Sequence, residues 1–394
     1  MMEMTRRGFV SGAMAAYAAG ATAAPKIEGF NETAPIQGGN GWQPFSDKKV
    51  RVGIAGYGVC HFGAFFEFQH HPNVEVVAAT DLFPDRCAKL AEIVGAKRTY
   101  PSCEEMIDKE KELDAVFIAT DAPSHADLVI RALNRGLHAA SAVPALFGES
   151  QLEKAGEMIE AVKKSGKVYA MFETTAFRAS CYAMRKIYEA GGFGELIYSE
   201  GEYFHHSVDQ IDSYKGWRKG LPPQWYPTHS NGFYTCVTHK RFTEVTCIGK
   251  PSILPKYNNG DNAYRNPYGS EIALFKTEEG GAARMAVAWD TPGVGGETGR
   301  VYGQKGCFTV RYYGQVDITG WPIDRPPLPP GIVDPGHHGG SHSYLMDDFI
   351  RAILLNQKPC VDIITALNTT VSGIYAHRSA VKGGETLKIP AFTL

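Results

Sequence analysis

The chain has 394 residues, with 40 Lys and Arg against 42 Asp and Glu and a formal net charge of −2. That balance excludes the basic surface with which nucleic-acid binders neutralise phosphates, and 44% apolar with 21% charged residues excludes a disordered chain. No apolar run reaches the roughly 18 residues of a membrane span, and 43 Gly with 23 Pro exclude a coiled coil or helical repeat.

The first residues read as an address. Thr5-Arg6-Arg7-Gly8-Phe9-Val10 is a twin-arginine pattern, an alanine-rich stretch runs from Val10 to Ala24, and Ala21-Thr22-Ala23 offers the small residues a signal peptidase requires. Residues 1–23 are therefore expected to be a twin-arginine signal that sends an already folded protein to the periplasm. Residues 24–47 lack periodicity and read as a linker. The eight cysteines form no CxxC pair, and most sit in apolar runs that suit buried free thiols. Neither a disulfide nor a zinc site is expected.

Residues 48–172 read as a Rossmann dinucleotide-binding domain. Arg51–Ala55 is a short apolar strand, followed by Gly56-Tyr57-Gly58 and a segment expected to be helical through Phe68. A second strand, Val74–Thr80, ends at Asp81 at the spacing of a first βαβ unit. The glycines let the backbone approach a pyrophosphate, and the helix start favours its charge. Asp81 can accept bonds from a ribose 2′-hydroxyl and repels a 2′-phosphate, so the expected cofactor is NAD. Further buried strands are expected at Leu113–Ala119, Leu137–Val143 and Val168–Phe172, alternating with helices, one of which carries Leu152, Ala155, Ile159 and Val162. Asp81, Thr120, Val143 and Glu173 follow the carboxyl ends of strands, where such folds bind ligands.

Residues 173–394 read as an α+β domain with an open, mostly antiparallel sheet. Strands are expected at Leu196–Tyr203, Glu271–Lys276, Ala282–Trp289 and Arg300–Val310, helices at Tyr344–Leu355 and Ile364–Ala376, and a short edge at Ile389–Phe392. Ser207–Ser230 reads as an irregular binding loop rich in aromatic and polar residues.

This layout resembles the glucose–fructose oxidoreductase/inositol dehydrogenase (Gfo/Idh/MocA) family. The resemblance rests on Gly56-Tyr57-Gly58, Ala79-Thr80-Asp81, Ala119-Thr120 with His125, Gly136-Leu137-His138 before Pro144, and Ser341–Leu345 with Lys358-Pro359. In the family's ordinary dehydrogenases a Glu-Lys-Pro triplet places a lysine beside the nicotinamide; here the triplet is Ala142-Val143-Pro144. The branch that resembles this chain most is glycoside hydrolase family 109, known for NAD-dependent α-N-acetylgalactosaminidases, which carries Glu-Val-Pro there. Met171-Phe172-Glu173, Tyr203 in Gly201–His205, Trp217-Arg218, Tyr226-Pro227-Thr228-His229 and Gly336–Gly340 match its marks. Thr174 replaces its asparagine, and the changes cluster on the sugar side.

The resemblance implies an NAD-dependent glycosidase. Hydride passes from sugar C3 to NAD⁺, the keto group acidifies C2–H, the C1 substituent is eliminated, and water and the hydride return. It implies Tyr203 and His229 as catalytic groups, with Arg218 lowering the tyrosine's pKa. It assigns Gly56, Gly58, Val59, Cys60, Asp81, Thr120, Ser124, His125, Val143, Glu173, Thr174 and Tyr226 to the cofactor. Tyr203, Arg218, Tyr226, Pro227, Thr228 and His229 fall to a carbohydrate or glycoside substrate, and a homo-oligomer is expected. His205, His206, His337, His338 and His342 fit no metal-ligand spacing, so no metal is expected. The rivals are a net sugar oxidoreductase, which would accumulate NADH, and a binding protein that has lost the chemistry.

Overall fold

The computed structural model describes residues 41–293, 295–332 and 336–394. The expected signal at 1–23 and residues 24–40 of the expected linker lie outside them. Two sheets carry the fold. The first joins β1 (Val50–Ala55), β2 (Val74–Thr80), β3 (Arg98–Tyr100), β4 (Ala115–Ile118), β5 (His138–Ser141) and β6 (Tyr169–Met171) in the order β3-β2-β1-β4-β5-β6. Every pairing is parallel. All four β4 residues and five of the six in β1 are buried, as a sheet covered on both faces requires. Connections run through α1 (Phe62–Phe65), α2 (Pro84–Val94), α3 (Cys103–Lys109), α4 (His125–Asn134) and α5 (Lys154–Ser165). The order reverses between β1 and β4, which opens a crevice at their carboxyl ends.

The helix expected through Phe68 is only one turn. His61 and Glu67 on either side are left-handed, with φ 55° and 61°. The turn is pressed on the glycine loop: a Cβ on Gly63 would stand 2.4 Å from the Gly56 carbonyl oxygen.

The second half contains α6 (Ala179–Glu189), β7 (Leu196–Phe204), α7 (Thr228–Thr238), β8 (Phe242–Pro251), β9 (Tyr268–Thr277), β10 (Ala282–Ala288), β11 (Gly296–Gly303), β12 (Gly306–Phe308) and β13 (Tyr312–Gly314). After these come α8 (His337–Gly340), α9 (His342–Leu354), α10 (Ile363–Val381) and β14 (Leu387–Lys388). Its eight strands run β13-β12-β11-β7-β10-β9-β8-β14, antiparallel except for β7 with β10. The strand expected at Arg300–Val310 is instead the end of β11 and the start of a hairpin, because the chain reverses at Gln304-Lys305. The edge strand is Leu387–Lys388, ahead of the expected Ile389–Phe392. Among the described residues no helix is long and apolar enough to cross a membrane, and all eight cysteines are free thiols.

α7 corrects the loop expected through Ser230. Every one of its eleven residues is buried, so a segment with three Thr, one Asn and one Gly is held helical by packing and not by propensity. Gly201 and Gly299 face each other across β7 and β11. A Cβ on Gly201 would lie 2.0 Å from the Ser230 carbonyl oxygen, and one on Gly299 2.1 Å from the Phe233 ring. The glycine pair is a flat floor on which α7 rests. Two positions along, Tyr203 and Glu297 are also paired. Side chains alternate with period two, so both rise on the face that carries α7.

Candidate active site

The crevice holds a cavity of about 580 Å³, within the size of small-molecule sites. Gly56, Gly58, Val59, Cys60 and Asp81 form one wall; Thr120, Ser124 and Arg218 lie on others. The glycine loop has the geometry a dinucleotide needs. Gly56 has φ +95°, and a Cβ on it would stand 2.3 Å from the Ala119 carbonyl oxygen. Gly58 has φ +57° and open space where its Cβ would be. A Cβ would be forbidden at the first position and would intrude on the ligand's space at the second, so the residues present fit NAD. Asp81 holds this loop. Its Oδ2 accepts from the amides of Tyr57 (2.8 Å) and Gly58 (3.2 Å), and its Oδ1 from that of Phe83 (2.9 Å). Thr120 and Ser124 share a 2.7 Å hydroxyl contact.

His125 does not stand on the cavity wall. It is buried, with Nδ1 2.9 Å from the Pro144 carbonyl oxygen and Nε2 3.3 Å from that of Thr120. Burial lowers its pKa, so the ring is neutral and donates to one carbonyl only. It ties the ends of β4 and β5 together. Val143 is buried and likewise absent from the wall.

A second group of side chains lies deeper and is almost wholly buried. Glu173, just past β6, accepts from the Thr175 amide at 2.8 Å. Its Oε1 also lies 2.8 Å from His229 Nδ1. A carboxylate only accepts, so Nδ1 carries the proton and Nε2 is the ring nitrogen left for a substrate. Thr174 Oγ1 is 3.3 Å from the same Nδ1. On the other side Glu297 Oε1 stands 3.8 Å from it, while Glu297 Oε2 accepts from Thr175 Oγ1 (2.8 Å) and Arg178 Nε (2.7 Å). Burial works against the charged form of His229, but attraction to Glu173 and Glu297 outweighs it and its pKa is raised. Burial opposes the charge on Glu297 too, yet Arg178 and His229 hold its pKa down.

Tyr203 closes over His229, ring centres 4.6 Å apart and nearly perpendicular. Tyr226 lies 5.7 Å from His229 and 6.2 Å from Tyr203. The Arg218 guanidinium stacks 4.2 Å from the Trp217 ring and 5.5 Å from Tyr226, which links this group to the cofactor cavity. Arg218 pulls the Tyr203 pKa down as expected, but not enough to set its direction. Burial raises it well above the ordinary value, Tyr226 and Glu297 add to the rise, and the pull of Arg218 is smaller. Tyr203 is a donor here, not a ready base.

Pro227 and Thr228 play smaller parts. The Pro227 carbonyl accepts from the amides of Ser230 (3.0 Å) and Asn231 (2.9 Å), which starts α7. Its ring packs against α10 at Gly373. Thr228 Oγ1 is buried without a hydrogen-bond partner. Sequence reasoning missed Glu297 and Arg178. Glu297 had a signal, the period-two alternation of β11, but the strand was expected to begin only at Arg300.

Residues 50–173 match the family model described as an oxidoreductase family with an NAD-binding Rossmann fold. The match covers about a third of the chain and is confined to the first sheet and its helices. The glycine loop, Asp81 and Thr120 fall within the matched span, and NAD is its cofactor. Over 94% of its length the chain is 24% identical to a glycosyl hydrolase family 109 protein of Streptomyces niveus, covering 84% of that protein. A family 109 protein of Bacteroides fragilis is 32% identical over 204 residues, which is 46% of this chain and 42% of that one. Similar solved structures include apo scyllo-inositol dehydrogenase from Lactobacillus casei, with a TM-score of 0.68 at 16% identity over 87% of this chain and 99% of that one. A levoglucosan dehydrogenase in complex with NADH and levoglucosan gives 0.67 at 16% identity over 87% and 100%. At such identities the likeness is one of fold, and it extends beyond the nucleotide domain to the sheet that carries Tyr203 and Glu297.

Proposed function

We propose that the protein is an NAD-dependent glycosidase acting by transient oxidation at sugar C3, elimination, addition of water and re-reduction. The observation that carries this reading is a change of proton-handling group. Val143, which takes the place of the dehydrogenases' lysine, is buried and apolar, whereas Glu173, His229 and Tyr203 form a polar group beside the cofactor cavity. The relatives named as glycosyl hydrolase family 109 support the same reading.

NAD, when bound, accepts the C3 hydride and returns it, so the sum of the cycle is hydrolysis. The glycine loop would hold the pyrophosphate, and Asp81, which anchors that loop, stands where the ribose would lie. Arg218, Trp217 and Tyr226 offer a stacking and hydrogen-bonding surface to the sugar. His229, oriented by Glu173, is the group that takes protons from the sugar and returns them, and Tyr203 donates to the sugar oxygens or the departing group. The released C1 substituent leaves with a proton, and water replaces it at C1.

Incubation with aryl glycosides in heavy water is expected to place deuterium at C2 of the released sugar. Hydrolysis without that exchange would sink the mechanism. The second reading, a net sugar oxidoreductase, is favoured by the description of the matched family; it forms one NADH for each sugar oxidised, where the glycosidase accumulates none.

The outer face of the second sheet suits a homo-oligomer. Ile248 and Ile272 are paired across β8 and β9, and with Leu274 they are 73%, 51% and 54% exposed. An apolar patch on a face of this kind marks a contact surface. Ile248→Glu with Ile272→Glu is expected to shift the protein to a smaller species in light scattering while the fold persists; an unchanged mass would exclude this face.

A further inference from the structure

We propose that His229, Glu297 and His338 form a binding site for one divalent transition-metal ion, Zn²⁺ by preference, on the inner face of the second sheet. One ligand atom from each residue lies within 4.8 Å of the other two, and all three residues are buried. They come from three separate places: the first turn of α7, β11, and the glycine turn of α8. Such convergence is invisible to any test of sequence spacing, which is why the histidines fitted no metal motif.

Two further observations point to an occupant. Glu297 Oε1 is buried and has no hydrogen-bond partner, although Oε2 of the same carboxylate is anchored by Thr175 and Arg178. A buried carboxylate oxygen without a partner is costly unless something binds it. The ligands are also held from behind. His229 Nδ1 is bonded to Glu173, and His338 Nδ1 lies 3.0 Å from His342 Nε2. Outer contacts of this kind fix the rings and carboxylates of metal sites.

Charge and donor type select the ion. Glu173, Glu297 and the Arg178 guanidinium sum to −1, which a divalent ion converts to +1, complementary to an enolate or alkoxide oxygen. Two imidazoles and one carboxylate suit Zn²⁺ and its first-row neighbours rather than Mg²⁺ or Ca²⁺, and three protein ligands leave a position open for a substrate. The place of the ion in catalysis rests on the glycosidase reading: it would polarise the C3 oxygen. In the loaded protein His229 is a ligand through its second ring nitrogen, and Tyr203 remains a proton donor to the substrate. The binding itself does not depend on that reading.

The test begins with full-length protein stripped by chelator, dialysed against Zn²⁺, Mn²⁺ or Mg²⁺, and analysed for bound metal and NAD. About one Zn²⁺ per chain is expected, with none retained from Mg²⁺, and Co²⁺ loading should give visible d–d absorption. His338→Ala, which leaves the Glu297–Arg178 pair intact, and Glu297→Gln should each lower retained Zn²⁺ at least tenfold. Bound NAD reports that the variants remain folded, and the wild-type metal and Co²⁺ measurements stand without any variant. No stoichiometric metal in wild-type protein would overturn the site and leave a water or sugar hydroxyl on Glu297. Full deuterium exchange at C2 in metal-free protein would overturn the ion's role while the glycosidase reading stands. Stoichiometric metal without C2 exchange would do the reverse.

Discussion

His229→Ala is expected to lower turnover about 10²–10⁴-fold, the usual worth of a positioned acid–base group, while NAD stays bound. The ring is the hub of the buried cluster: Glu173 holds Nδ1 at 2.8 Å, Glu297 Oε1 lies 3.8 Å away, and Tyr203 packs on its face. Removing it leaves Glu173 Oε1 with the Thr175 amide alone and takes away the proton carrier or metal ligand in either loading state. The cofactor cavity is lined by other residues, so cofactor absorbance should persist. Turnover within fivefold of wild type, or loss of NAD together with activity, would contradict the assignment. Aryl glycoside release and the ultraviolet spectrum of the purified variant provide both readings.

Gly56→Ala is expected to act on the other half of the site. The new methyl carbon would stand 2.3 Å from the Ala119 carbonyl oxygen, on a residue whose φ is +95°. Neither the β4 backbone nor the loop can yield without the other, because the Gly56 amide is bonded to the Thr80 carbonyl at 2.8 Å and its own carbonyl accepts from Gly63 at 3.1 Å. Strain at such a backbone position and overpacking each cost about 1–3 kcal/mol, which corresponds to a fall in Tm of roughly 5–15 °C. The variant should also purify without NAD, since the loop amides that face the pyrophosphate move. Retention of wild-type Tm and cofactor content would show that the turn is not the constraint described here.

Much of the nucleotide domain was legible because its signals are local. Val74–Thr80 is the expected strand residue for residue, and Asp81, Thr120, Val143 and Glu173 lie one or two positions beyond strand ends. Short buried strands punctuated by Gly, Pro and Asp can be read from runs of apolar residues. The errors came where tertiary packing overrode local pattern. α7 is a helix because the Gly201–Gly299 floor and α10 bury it on every side, not because Thr-His-Ser-Asn-Gly favours one. The Rossmann helix stops after one turn because residues on both its flanks are left-handed. The Tyr203 pKa is raised and not lowered because burial, which the sequence does not state, outweighs the pull of a guanidinium that itself stacks on Trp217.

The sequence by itself determined the cofactor turn and the position of Asp81 after β2, each a property of a few neighbouring residues, whereas the missing dehydrogenase lysine and the choice of Tyr203 and His229 came from the family resemblance. Only the tertiary structure decided that Glu173 and Glu297, from different sheets, flank one imidazole, and that His338 joins them. It also decided that His125 is a structural tie. Those facts are distances between segments far apart in the chain, set by sheet register and by which side chains are denied water, and neither quantity is encoded in local spacing.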